Sequence, residues 1–97
     1  MRAIILPLFA LGFHASVSAV TLEEAQSAVA AGNCDQAVEA LNTLAANKDA
    51  AAMNQLGAMH LVGKCVEKSN ESAKTWFEKA AAEGSLRAQK MLERLNK

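Results

Sequence analysis

Large aromatic side chains are nearly missing from this chain: it has no tyrosine, one tryptophan and three phenylalanines. Two of the phenylalanines, Phe9 and Phe13, lie near the start, so Trp76 and Phe77 are the only large rings after Phe13. The 52% hydrophobic content is therefore largely alanine, and a core built from it depends on close backbone approach more than on bulky side chains. Proline occurs once, at Pro7, and no stretch alternates apolar and polar residues as a half-buried strand would. No run of like charges occurs and the formal net charge is zero, so nothing points to a nucleic-acid partner or an anionic membrane surface. What remains is the composition of a small helical domain.

The first nineteen residues read as a separate unit. One basic residue, Arg2, precedes an apolar stretch from Ala3 to about Phe13, and Val17-Ser18-Ala19 offers the small residues of a cleavage site. The stretch falls short of the roughly 20 residues needed to span a bilayer. The expectation is a signal peptide over residues 1–19 and a domain over residues 20–97, with no stable membrane insertion after cleavage; the alternative is a retained N-terminal anchor. Export places the two cysteines in an oxidising compartment, periplasmic or secreted. Removing nineteen of the 97 residues leaves 78, a length at which a core alone seldom gives strong stability.

Five helices are predicted. Thr21 and Glu24 form a capping box before the first, which Gly32 closes. A second spans about Asp35 to Ala46, with Ala37, Val38, Leu41 and Leu44 at helical spacing. Asp49 is placed to cap a third over about Ala50 to Val62, and Gly63 ends it. A fourth begins near Asn70, where capping by the Asn70-Glu71-Ser72 stretch is expected, and ends at Gly84; Ser85 then caps a fifth through about Leu95. Residues also recur 36 positions apart: Ala37 and Ala73, Leu44 and Ala80, Ala45 and Ala81, Ala52 and Ala88, Leu56 and Leu92. A period in the thirties marks stacked helix pairs, because a lone hairpin cannot bury its own apolar face.

The stretch LGAMHLVGKCVEKSNESAKTWFEKAAAEG resembles the Sel-one-like repeat (SLR), a relative of the tetratricopeptide repeat. Leu56, Gly57, Gly63, Val66, Ala73, Trp76, Ala80, Ala81, Gly84 and Ala88 follow that repeat's order and spacing. His60 stands where an aromatic is usual, Cys65 replaces the second loop glycine, and Ser69 replaces an aspartate. The resemblance implies an all-α fold, a short α-solenoid of about two antiparallel helix hairpins plus a C-terminal capping helix. Glu93, where Gly57 allowed close packing one repeat earlier, fits a cap with one solvated face.

On that resemblance, Cys34 lies in the bend of the first hairpin and Cys65 in the bend of the second, and equivalent bends stack along one edge. A Cys34–Cys65 disulfide is the expectation; a pair of free buried thiols is the alternative. A metal site with His60 lacks both a ligand spacing and a fourth ligand.

No catalytic constellation is legible, and no cofactor is expected. His60 fills a structural position of the repeat, and Trp76 and Phe77 read as core anchors. The adjacent Glu23 and Glu24 point to different sides of a helix. Exported cysteine-rich relatives have been linked to β-lactam binding or hydrolysis, but no serine here has a lysine three residues later. In this repeat type the first helix of each pair lines a concave groove, which by position assigns Ala51, Asn54, Gln55, Ala58 and Leu61 to it. The functional expectation is a non-enzymatic interaction module for an envelope protein or peptide, monomeric or weakly self-associating. The alternatives are an inhibitor or immunity protein acting on an envelope enzyme or toxin, and a small hydrolase.

Overall fold

The structure is a computed structural model and describes residues 20–97. The expected leader over residues 1–19 lies outside the described residues. Five helices follow one another: α1 (Leu22–Ala31), α2 (Cys34–Ala46), α3 (Ala50–Val62), α4 (Asn70–Ala82) and α5 (Leu86–Leu95). There is no strand among the described residues.

Each boundary has a local cause. The Thr21 hydroxyl accepts from the Glu24 amide at 3.1 Å while the Glu24 carboxylate accepts from the Thr21 amide, closing the capping box at the start of α1. Asp49 caps α3 through Oδ1, which accepts from the amides of Ala51 and Ala52. Ser85 caps α5. The cap of α4 is Ser69 and not Asn70: the Ser69 hydroxyl accepts from the Ser72 amide, and Asn70 is already helical. Left-handed Gly32 and Gly63 end α1 and α3, a conformation glycine adopts without a Cβ penalty. The second helix starts one residue earlier than its pattern suggested. Gly32 turns the chain so tightly that Cys34 occupies the first helical position and lies inside α2 instead of in the bend.

Packing runs mainly from each helix to the next, α1 on α2, α2 on α3, α3 on α4 and α4 on α5, as in a solenoid. Among the described residues, fourteen hydrophobics are buried, and eight of them are alanines: Ala25, Ala28, Ala37, Ala45, Ala52, Ala73, Ala80 and Ala88. Such a core forms only where backbones come close. The tightest approach is at Gly57, where a Cβ would lie 2.8 Å from the Phe77 ring. Phe77 is 2% exposed and, with Leu41 and Leu56, supplies the largest fully buried side chains.

Trp76 departs from its expected role as a core anchor. It is half-buried, packs on the edge of the core, and carries the Lys79 ammonium 4.6 Å from its ring centroid. Successive helical residues are about 100° apart, and with Phe77 turned fully inward Trp76 falls at the edge of the buried face.

Candidate functional site

Three features hold the α3–α4 connection, residues 63–69. A disulfide joins Cys34 to Cys65 with Cα atoms 4.9 Å apart, tying the start of α2 to this loop. His60 contributes twice: its ring Nδ1 lies 3.0 Å from the Glu67 carbonyl, and its own carbonyl accepts from the Ser69 amide at 2.9 Å. A carbonyl only accepts, so the Nδ1 proton is donated to it. Cys65 itself has φ 63°, the left-handed conformation that favours glycine. His60 is thus occupied in holding the loop.

A cleft of about 200 Å³ lies along α3. Ala51, Asn54, Gln55 and Ala58 line it from α3, joined by Gln26 from α1, Phe77 from α4, and Arg87 and Met91 from α5. Leu61 does not line this cleft; it is half-buried and packs against the core one turn further along α3. Ala51 and Ala58 contribute only methyl groups and leave the cleft open beside the longer side chains around them.

Asn54 is the most informative member. Its Nδ2 donates to the Ser85 hydroxyl at 2.9 Å, linking α3 to the cap of α5, while its Oδ1 is enclosed and has no donor partner. Arg87 is the single charged residue of the lining. The surface therefore offers amide donors and acceptors, one cation, and an apolar patch formed by Met91 and the edge of Phe77.

Gln26, Arg87 and Met91 were missed by reading α3 alone. Two of them were recoverable from the repeat, since Arg87 and Met91 lie 36 positions after Ala51 and Gln55. Gln26 was not: the α1–α2 turn has two residues and the α3–α4 loop has seven, so the period does not extend back to α1.

A second and wider cleft of about 700 Å³ lies between α1 and α2, with Glu23, Glu24 and Glu39 beside Ser27, Ala28 and Ala40. Among the described residues no cluster of histidine, cysteine, aspartate and glutamate could hold a metal ion, and no helix is long and apolar enough to cross a membrane.

Consecutive helical hairpins, close-packed through small residues and cleft on the side of their first helices, define a helical-repeat protein. Residues 50–85, which comprise α3, the loop, α4 and the Ser85 cap of α5, match the family model described as Sel1 repeat. Neither the curated proteins nor the solved structures give a significant match to the chain. Sel1 repeats generally mediate protein–protein interaction and are typically non-catalytic.

Proposed function

We propose that this protein is an exported, non-enzymatic interaction module of the cell envelope that holds an extended segment of a protein or peptide partner against the cleft along α3. The observation that carries the reading is the lining of the cleft, where the amide side chains of Gln26, Asn54 and Gln55 stand beside the small Ala51 and Ala58. Side-chain amides can pair with the N–H and C=O groups of an extended chain, as strand-like peptide recognition requires. Gln26 and Gln55 can pair with further backbone groups, Ala51 and Ala58 leave room for the chain, and Arg87 gives it direction. The engagement of His60 in holding the loop favours a scaffold over a hydrolase.

Export is supported by the disulfide, which persists in oxidising compartments, and by the signal-like pattern of residues 1–19. N-terminal sequencing of the protein from its native envelope is expected to begin at Val20; material that still starts at Met1 means the segment is a retained anchor.

The cleft is tested by filling it. Affinity capture from the native envelope is compared for the wild type, Ala58→Trp, which occupies the cleft, and Glu78→Trp, an equally bulky change on an exposed position of α4. A partner retained by the wild type and Glu78→Trp but lost by Ala58→Trp is the expected result. Equal recovery by all three moves the binding surface elsewhere.

A further inference from the structure

The zero net charge of the chain hides a polar arrangement. From Val20 to Asn47 the charged side chains are Glu23, Glu24, Asp35 and Glu39, and every one is negative. From Ser85 to Lys97 the cations Arg87, Lys90, Arg94 and Lys97 are opposed by Glu93 alone. In a solenoid, chain order is spatial order, so the acidic residues gather on the first hairpin and the basic ones on the last helix.

Both ends also present surface that none of the described residues covers. The roughly 700 Å³ cleft between α1 and α2 is lined by Glu23, Glu24 and Glu39 and by small residues such as Ser27, Ala28 and Ala40; among the described residues no cationic side chain lines it, and cleavage before Val20, which also lines it, sets one α-ammonium against three carboxylates. This lining lies on sides of α1 and α2 that the core uses little: α2 turns Ala37, Leu41 and Ala45 inward, while Gln36, Glu39 and Thr43 are exposed. At the other end, Ala88 is the one fully buried residue of α5. Leu86, Lys90, Glu93 and Lys97 recur at three- and four-residue intervals along its outer side, all exposed, and Leu86 is 70% exposed.

We propose that the protein associates head to tail with further copies of itself, the basic outer side of α5 of one copy seating in the acidic α1–α2 cleft of the next. Small floor residues admit the approach of a helix, and the α5 cations meet the carboxylates along the cleft's border. Leu86 gains an apolar contact with the alanine floor. The same chain supplies both signs on opposite ends, which makes a second copy the best-fitting occupant. Because the two patches differ, the contact is heterologous and leaves one acidic and one basic end free at every length. The surface is small and its attraction largely ionic, so the association is weak, reversible and sensitive to salt. It uses neither the cleft along α3 nor its partner, and stands apart from the function proposed above.

Sedimentation velocity on disulfide-bonded protein tests this. The weight-average mass should rise with protein concentration at about 0.05 M salt and return to that of a monomer at about 0.5 M. Two variants block one end each: E23Q/E24Q/E39Q, which keeps the capping box because glutamine serves at position 24, and K90Q/K97Q. Each should stay monomeric alone, with the helical circular dichroism of the wild type, and an equimolar mixture should form a dimer and nothing larger. Ser27→Trp, which fills the cleft without altering charge, should block association as well. Wild-type protein that stays monomeric at low salt, association that persists in either charge variant, or a mixture that forms no dimer would each overturn the proposal.

Discussion

At Gly57 and Cys65 single atoms decide the geometry. Gly57 lies under the Phe77 ring, with a hypothetical Cβ within 3.0 Å of three ring atoms, and a ring on a crowded helix has little freedom to retreat. Gly57→Ala is expected to destabilise the protein by about 1–3 kcal/mol despite alanine's higher helix propensity, measured as a lower midpoint in urea. An unchanged or raised midpoint would show that the helices can separate at no cost. Cys65 carries a side chain at φ 63°, where a non-glycine residue costs roughly 1–2 kcal/mol. With the disulfide removed, Cys34→Ser/Cys65→Gly should therefore be more stable than Cys34→Ser/Cys65→Ser by about 1 kcal/mol. Equal stabilities would mean that the loop relaxes once the bond is gone.

At the level of elements, α4 shows how a helix divides labour between adjacent residues. Phe77 reaches between α3 and α4 to Gly57 and is buried, whereas Trp76 lies on the rim under Lys79. Phe77→Ala should cost about 3–5 kcal/mol. Trp76→Ala should cost less, because it removes a partly exposed surface and a cation–π contact of about 0.5–1 kcal/mol. Thermal midpoints of the two variants check the order, and a larger loss for Trp76→Ala would reverse the assignment of the two rings. Helix existence, order and most caps were legible in the sequence, since Thr21, Asp49, Ser85, Gly32 and Gly63 act within one turn of their own positions. The choice of Ser69 over Asn70 as cap was not, because either side chain can accept the same bonds and the one that caps depends on where the loop delivers the chain.

For the whole molecule, the disulfide connects elements 31 residues apart in a domain whose buried side chains are mostly small. Closing a loop of that length contributes about 3–4 kcal/mol in the chain-entropy model, a large share of what so small a domain can have. Reduction should lower the unfolding free energy by about 2–4 kcal/mol while leaving helical circular dichroism at low temperature. Thiol titration of the unreduced native protein should find no reactive cysteine; two reactive thiols would mean that the hairpins hold together without the bond. The helical repeat was readable from the 36-residue period and from the resemblance it accompanies; of the five α3 positions that the resemblance assigned to a groove, Ala51, Asn54, Gln55 and Ala58 line one cleft. The partial burial of Trp76, the displacement of Leu61 from the cleft and the inclusion of Gln26 were not readable, since they depend on how far each hairpin is turned against the next.

The sequence by itself determined whatever is local or periodic: five helices, their stops and starts, an all-α repeat, and the unequal placement of charge along the chain. These follow from interactions within a turn or two and from a pattern that copies itself. Tertiary structure alone decided that Asn54 reaches Ser85, 31 residues away, with its carbonyl oxygen left enclosed, and that Gly57 admits the Phe77 ring. It also decided that the first hairpin leaves a cleft open between α1 and α2. The physical reason is that small residues permit close packing without specifying it. An alanine-rich surface fits several neighbours nearly equally well, and only the assembled hairpins fix which atoms meet and which are left without a partner.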